Sequence, residues 1–259
     1  MTAPAHNPNR GVVIGLLWSA LGAAFAAGYL VPYKAAVARV GPAGLVLPML
    51  LAAALINSLV DGAGRLRAEH AHWKWDRVTL TVALLLGGAS ALGNEAVCQS
   101  LVHLNPGLVS VTLRTQVIFV AVGGVLLLGE PLGRRFWIGV VLALGGYLLL
   151  QSTSDLARDA SLAGLGWALL AAAAFGSMQI VIRRAVSRID HLQVNTLRLW
   201  FAAALVALVP GRLPVLISLD GRIWALAVTA ALCGPVLSRL CLMRALRTLP
   251  AAHATLALF

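Results

Sequence analysis

The chain has 259 residues, of which 60% are hydrophobic and only 11% are charged, whereas a soluble domain is about 45–50% apolar and about 25% charged. This composition excludes a soluble enzyme, a disordered tail and a nucleic-acid-binding domain, because too few charges remain to cover a water-exposed surface. The net charge of +11 predicts the lipid bilayer as a partner instead, since basic residues gather on the cytoplasmic side of membrane proteins.

Apolar runs of membrane-spanning length recur along the whole chain. A hydrocarbon core about 30 Å thick needs roughly 20 apolar residues per helix. Eight complete spans meet this requirement, and a ninth begins near Pro250: 11–33, 43–60, 78–101, 106–128, 135–152, 162–184, 192–210 and 222–246. Turn residues punctuate the connections, at Gly41-Pro42, Asn105-Pro106-Gly107, Gly129 to Gly133 and Pro210-Gly211. The sequence therefore predicts an all-α, multi-pass integral membrane protein.

The basic residues near the span ends and in the connecting segments predict the orientation. With a cytoplasmic N-terminus, most of them lie inside: Arg10, Arg65, Arg67, Lys74, Arg77, Arg134, Arg135, Arg183, Arg184, Arg188, Arg244 and Arg247. Fewer lie outside: Lys34, Arg39, Arg158, Arg212 and Arg222. This bias favours a cytoplasmic N-terminus in the cell inner membrane.

An internal repeat relates the two halves of the chain. The aligned pairs are Trp18 and Trp167, Lys34 and Arg183, and Ala36 and Ala185 at a shift of 149 residues, and Arg77 and Arg222, Leu101 and Leu246, and Leu104 and Leu249 at a shift of 145. Each copy would hold five spans, and because five is odd the second copy enters the membrane from the opposite side. Inverted repeats are typical of secondary transporters, whose binding site lies near the membrane midplane between the copies.

The repeat divides the chain into residues 1–152, with spans one to five, and residues 153–259, with spans six to eight and the start of span nine. The last residue, Phe259, aligns with Arg114 of the first copy, which continues to about Gln151. We therefore expect a ten-span design of two inverted five-helix repeats, in which the second repeat is truncated at its C-terminal end.

Several short motifs resemble the EamA-like branch of the drug/metabolite transporter superfamily. The segment Leu126-Leu127-Leu128-Gly129-Glu130-Pro131-Leu132 is similar to the family's end of span four, and Trp137-Ile138-Gly139 with Gly145-Gly146 to its span five. Trp18 to Lys34 resembles its first span, and Leu197-Arg198 its signature in span seven. The resemblance covers the whole chain and implies a transporter of metabolites or drug-like solutes, with efflux as the direction. The chain departs from the family pattern at Pro48, Glu95 and Leu113-Arg114-Thr115-Gln116.

Ionisable residues within spans or at a span end are the candidate substrate contacts, because an ionisable side chain costs roughly 2.5–3.5 kcal/mol to insert at the bilayer centre. These are Lys34, Glu95, Arg114, Arg198 and Arg239, whose formal charges sum to +3. Together they predict a pathway that favours an anionic, carboxylate-bearing solute. Polar neighbours complete the candidate set: Asn94, Gln99 and Gln116.

Each candidate also has a structural interpretation. Glu95 either exchanges a proton during transport or forms a fixed salt bridge with Arg114 or Arg239. Arg114 can clamp a carboxylate with two hydrogen bonds, or pair with Glu95. Lys34 and Arg198 either contact the substrate or extend to the headgroups. A spacing of four or five residues places Asn94 or Glu95 near Gln99 on span three.

No catalytic, cofactor or metal site is predicted. The three cysteines lack metal-binding spacing, and no glycine-rich loop ending in Lys-Ser/Thr follows a strand, so transport would be secondary rather than ATP-driven. The leading function is alternating-access transport of a small solute. The alternatives are an integral membrane enzyme acting on a lipid-like substrate and an inactive truncated fragment.

Overall fold

The computed structural model describes residues 8–67, 73, 75–129, 133–134, 137–142, 145–146 and 161–249. Its helices are α1 Pro8–Gly28, α2 Leu30–Arg67, α3 Arg77–His103, α4 Pro106–Leu113, α5 Gln116–Leu128, α6 Leu162–Ala185, α7 His191–Ala207, α8 Arg212–Ile217, α9 Gly221–Ala231, a π-helical segment Leu232–Ser238 and α10 Arg239–Ala245. The described ranges contain no strand, which confirms the all-α prediction for this part of the chain. Most of the predicted fifth span and the predicted start of a ninth lie outside the described residues.

Five helical stretches among the described residues are long and apolar enough to cross a membrane: Val12–Arg65, Arg77–His103, Pro106–Leu128, Leu162–Ala185 and Gly221–Ala245. The first has 54 residues, which as a continuous helix would measure about 80 Å, far more than the roughly 30 Å of a hydrocarbon core. The described part of the chain is thus all-helical, and the chain is a multi-pass membrane protein.

A backbone kink at Gly41 divides that first stretch. Gly41 has φ 68° and ψ 178°, in the middle of α2, and Pro42 follows it. A residue with a Cβ rarely adopts this backbone conformation, whereas glycine does so without strain. The predicted turn is therefore in place, and the helical backbone that begins at Leu30 runs past residue 33 up to Gly41.

Aspartate and asparagine side chains determine where four helices begin. Asp76, Asn105, Asp190 and Asp220 precede α3, α4, α7 and α9, and each accepts hydrogen bonds from backbone N–H groups in the first turn, at 2.8–3.2 Å. These N–H groups have no partner within the helix, so a short polar side chain at this position stabilises the helix start by about 0.5–2 kcal/mol.

Two predicted spans are irregular in the middle. Span four breaks between α4 and α5, where the N–H groups of Arg114 and Thr115 donate to carbonyls three residues back rather than four. Span eight consists of α9, the π-helical segment with Pro235, and α10. Proline lacks an N–H and disrupts the regular α-helical ladder, and π-helical turns are frequent at functional sites.

The helix α3 lies at the centre of the packing. It contacts α6 and α7 extensively, and α2 lies against α7 and α9. On the other side, α1 packs against the π-helical segment and α10. Spans from the two halves of the chain therefore pack mainly against each other, and the cavity described below lies between them.

Close helix approach in this bundle depends on particular glycines. A Cβ added at Gly87 of α3 would lie 2.7 Å from the Cβ of Phe201 and 3.1 Å from the carbonyl oxygen of Arg198, both on α7. A Cβ at the adjacent Gly88 would meet nothing within 4 Å. Small residues at such crossings permit the backbone-to-backbone contact that membrane helices use to associate.

We predict opposite effects for alanine at these two neighbouring glycines. Gly87→Ala should destabilise the fold by about 1–3 kcal/mol, because backbone atoms of α7 must move to accommodate the methyl group. Gly88→Ala should be neutral or stabilise by up to about 1 kcal/mol, because alanine is the better helix former. Thermal unfolding of both variants in detergent measures the difference, and equal unfolding temperatures would contradict this packing.

Candidate functional site

A cavity lies between the two halves of the chain, with a volume of about 80 Å³. Residues from nearly every long helix line it: Ala26, Tyr29, Leu30, Ser90, Asn94, Ser110, Leu113, Arg114, Gln116, Phe175, Gln179, Arg198, Gly234, Pro235, Ser238, Arg239 and Leu242. A water molecule needs about 10–15 Å³ of such space, so the cavity can hold several waters or a small solute.

Three arginines give the cavity its charge. Arg114, Arg198 and Arg239 contribute from the break in span four, from α7 and from α10, and no aspartate or glutamate is among the described residues of the lining. Five of the eight candidates predicted from the sequence thus meet here: these three arginines with Asn94 and Gln116. The other three, Lys34, Glu95 and Gln99, do not line the cavity.

Arg198 is fully embedded, with an exposed fraction of 1%. Its Nε donates to Asn195 Oδ1 at 2.7 Å, Nη1 to Ser90 Oγ at 2.7 Å and Nη2 to the carbonyl of Pro235 at 2.8 Å. These partners come from α7, α3 and the π-helical segment. Extension of Arg198 to the headgroups, one of its two interpretations, is therefore wrong, because all three polar partners lie in the protein interior.

Further buried polar residues hold the partners of Arg198 in place. Asn195 Nδ2 donates to Asn57 Oδ1 at 2.7 Å, and Asn57 Nδ2 donates to the carbonyl of Ala53, which links α7 to α2. On the other side, Asn94 Nδ2 donates to the carbonyl of Ser90 at 2.8 Å. We call the set Asn57, Ser90, Asn94, Asn195 and Arg198 the arginine network; satisfied buried networks of this kind rigidify the core around them.

Arg239 is held much more loosely. Its guanidinium stacks over the ring of Phe175 at 4.7 Å from the centroid, and among the described residues it makes no hydrogen bond or ion pair. It lies within electrostatic range of Arg198, and the two positive charges repel each other. Phe175 in turn fits against Gly93, where an added Cβ would lie 2.5 Å from the ring. Arg239 therefore keeps its donor groups available to a solute in the cavity.

Arg114 and Gln116 lie on either side of the break in span four. The Oγ1 of Thr115 between them donates to the carbonyl of Thr112, so the break satisfies its own polar groups locally. Irregular backbone at membrane depth occurs where it lines a cavity, and Arg114 and Gln116 both line this one.

Glu95 has a different partner from those predicted. Its Oε1 accepts from Arg212 Nη2 at 2.6 Å, and Arg212 Nη1 also donates to the carbonyl of Pro42 at 2.9 Å. The expected pairing with Arg114 or Arg239 is therefore wrong, because Arg212 of α8 folds inward and is only 9% exposed. Gln99 Nε2 lies 3.3 Å from Glu95 Oε1, which confirms the predicted proximity of these two residues.

Lys34 donates hydrogen bonds to the C-terminal end of a neighbouring helix. Its Nζ donates to the carbonyls of Leu101 and Leu104 at the C-terminal end of α3. The last carbonyls of a helix lack N–H partners and carry partial negative charge, so a cation there is stabilising. Arg183 Nη1 donates in the same manner to the carbonyl of Leu246, just after α10, at 2.8 Å.

Sequence reasoning missed several residues that shape the cavity and its support. Phe175, Pro235 and Ser90 carry no charge and therefore did not stand out in an apolar chain. Asn57 and Asn195 were detectable in principle, since each places an amide within a predicted span. A search for any buried hydrogen-bonding group, rather than for charges, would have found both.

The model of the EamA-like transporter family matches residues 13–152 and 162–259 of this chain. The matched segments cover nearly the full length, including every helix that lines the cavity. No curated protein matches the chain closely enough to be compared with it.

Removing one partner of Arg198 should destabilise the arginine network. Ser90→Ala leaves Nη1 of a buried guanidinium without its partner, which we expect to lower the free energy of unfolding by about 1–3 kcal/mol. Ser110→Ala is the matched control, since Ser110 also lines the cavity and its hydroxyl makes no hydrogen bond among the described residues. Chemical or thermal unfolding in detergent compares the two, and an equal effect of both changes would refute the importance of this hydrogen bond.

Proposed function

The chain belongs to the EamA-like transporter family, and from this premise we propose that it moves a small anionic, carboxylate-bearing solute across the cell inner membrane by alternating access. Members of the family are membrane transporters rather than enzymes, which implies a small-molecule substrate and a lipid bilayer as surroundings. The proposed class of solute and the proposed mechanism are argued below, and export is the direction that the family resemblance suggests.

The charge of the cavity is the observation that carries this proposal. Three arginines and no described carboxylate line a space of about 80 Å³ inside an apolar bundle. In such a low-dielectric site a net positive charge attracts anions and excludes cations. A guanidinium also presents its donors in a planar fork that matches a carboxylate.

The arginines divide the work of binding. The three hydrogen bonds that Arg198 donates all go to groups of the protein, so its guanidinium is a fixed positive charge in the wall of the cavity. Arg239, which stacks on the Phe175 ring and makes no hydrogen bond or ion pair among the described residues, supplies the donors that a carboxylate needs. Arg114 and Gln116 offer further polar groups at the broken helix. A carboxylate bound between Arg198 and Arg239 would also relieve their mutual repulsion.

Alternating access follows from an inverted repeat, which we propose for residues 1–152 and 153–259 of a ten-span design with the N-terminus in the cytoplasm. Two equivalent contacts support it: Lys34 donates to the carbonyl of Leu101, and Arg183 to that of Leu246. The donors are 149 residues apart and the acceptors 145, which are the shifts that relate the two halves. In inverted-repeat transporters, rocking of one repeat against the other exposes the central site to each side in turn.

Neutralising Arg239 should weaken transport of anions without disrupting the fold. We expect Arg239→Gln to lower the transport rate of a small carboxylate in proteoliposomes at least about tenfold, because a hydrogen bond to a charged group contributes about 1.5–3 kcal/mol. Arg239→Lys, which keeps the charge but loses the fork, should retain part of the activity.

The control for this experiment is Arg222→Gln, since Arg222 is exposed at the start of α9 and does not line the cavity. It should transport like the unmodified chain. Preference of the unmodified chain for organic cations of the same size would overturn the anionic substrate, and full activity of Arg239→Gln would overturn the role of Arg239.

We expect Glu95 to act as a fixed ion-pair partner rather than as the group that couples transport to protons. It is already paired with Arg212 at 2.6 Å, and Arg212 joins it to the first turn after the Gly41 kink. Glu95→Gln should therefore lower thermal stability while the pH profile of transport keeps its shape. A profile that flattens in Glu95→Gln would show instead that this carboxylate carries the coupling proton.

A further inference from the structure

A second cavity, of about 570 Å³, lies on the opposite face of the helix that carries Arg239. Leu237, Leu240, Cys241 and Arg244 face it, at positions i, i+3, i+4 and i+7 of the π-helical segment and α10. The central cavity is lined by the intervening positions, among them Ser238 and Arg239. The two cavities are therefore separate, with a single helix between them.

The wall of this second cavity combines basic and apolar groups. Arg188, Arg244 and Arg247 are exposed at its surface, where α6 ends, α7 begins and α10 ends. Apolar side chains of Val60, Leu237 and Leu240 form part of the same lining. A surface of this kind matches an amphiphile, with arginines for a phosphate and an apolar wall for the start of an acyl chain.

The three arginines of this cavity are held by uncharged neighbours or make no polar contact among the described residues. Arg244 stacks over the ring of Trp18 at 4.8 Å, and Arg247 Nε donates to His191 Nε2 at 3.0 Å, so both guanidinium groups are oriented by uncharged partners. The guanidinium of Arg188 has no hydrogen bond or ion pair among the described residues.

Among the described residues of the lining one carboxylate, that of Asp190, is present, and it already has other partners. It accepts the N–H groups of Leu192 and Gln193 at the start of α7, and its other oxygen lies 3.8 Å from Arg65 Nη2. The described lining therefore presents three arginines and one carboxylate, and the carboxylate is already paired.

We propose that this second cavity binds the phosphate headgroup of an anionic phospholipid from the surrounding leaflet. Basic pockets between transmembrane helices bind anionic headgroups, and each basic residue near such a surface adds to the affinity. The bilayer supplies this ligand at high local concentration, and the apolar part of the lining accommodates the chain that a free phosphate lacks. The site is distinct from the transport cavity and does not depend on what the transporter carries.

Native mass spectrometry of the purified full chain tests the proposal, with phosphatidylglycerol and phosphatidylcholine offered in equal amounts. The unmodified chain should retain phosphatidylglycerol in preference. Arg188→Gln should weaken its retention about five-fold, whereas Arg188→Lys should restore most of it. Arg184→Gln is the matched control, because Arg184 is an exposed arginine in the last turn of α6 that does not line the cavity.

Three results would overturn the proposal. Equal retention of the two lipids would show that the headgroup charge is not recognised, and unchanged retention by Arg188→Gln would place the lipid elsewhere. Displacement of phosphatidylglycerol by glycerol 1-phosphate or inorganic phosphate at the same concentration would make the site one for a free phosphate. None of these results bears on carboxylate transport, which is measured separately.

Discussion

The structure depends on the need to satisfy one buried guanidinium. Arg198 lies inside an apolar bundle, where a buried donor left without a partner costs several kcal/mol. Its N–H groups donate to three different elements, and Nη2 donates to the carbonyl of Pro235, in the π-helical segment of span eight. The irregularity of that span, the amides of Asn57 and Asn195 and the hydroxyl of Ser90 are thus parts of one arrangement that joins helices of both halves of the chain.

The need to satisfy buried donors also distinguishes Arg198, which is fixed by hydrogen bonds, from Arg239, which is held only weakly. Because Arg198 is bound on several sides, its position changes only if α3, α7 and span eight move together. Arg239 is four residues beyond Pro235 and rests on an aromatic face, an interaction of roughly 0.5–2 kcal/mol that a carboxylate can replace. Under the proposed function, a solute that binds Arg239 would act on the helix whose carbonyl holds Arg198, and it would couple binding in the cavity to the packing between the halves.

The membrane class, the helical fold and the turn at Gly41 were predictable, because span length, apolar content and a glycine followed by proline are local properties of the sequence. The interruption at Leu232–Ser238 carries the same local signal, Gly234-Pro235, whereas the interruption at Arg114-Thr115 has no glycine or proline to mark it. The partner of Glu95 was also beyond prediction. Arg212 is preceded by Pro210-Gly211 and looks like a loop residue, and only the fold turns it inward to Glu95 and to the carbonyl of Pro42.

The charge predicted for the site equals the charge found in the cavity, but the residues that contribute to the two sums differ. The five ionisable candidates predicted from the sequence sum to +3, and the described lining of the cavity also carries +3, from Arg114, Arg198 and Arg239. The totals coincide because Lys34 and Glu95 cancel in the sum, while in the structure each lies outside the cavity with its own partner. Lys34 neutralises helix-end carbonyls and Glu95 neutralises an arginine, so neither leaves any charge for a solute. Counting charged residues in spans therefore gives the charge of such a cavity only when the residues that already have protein partners, here Lys34 and Glu95, are left out of the count.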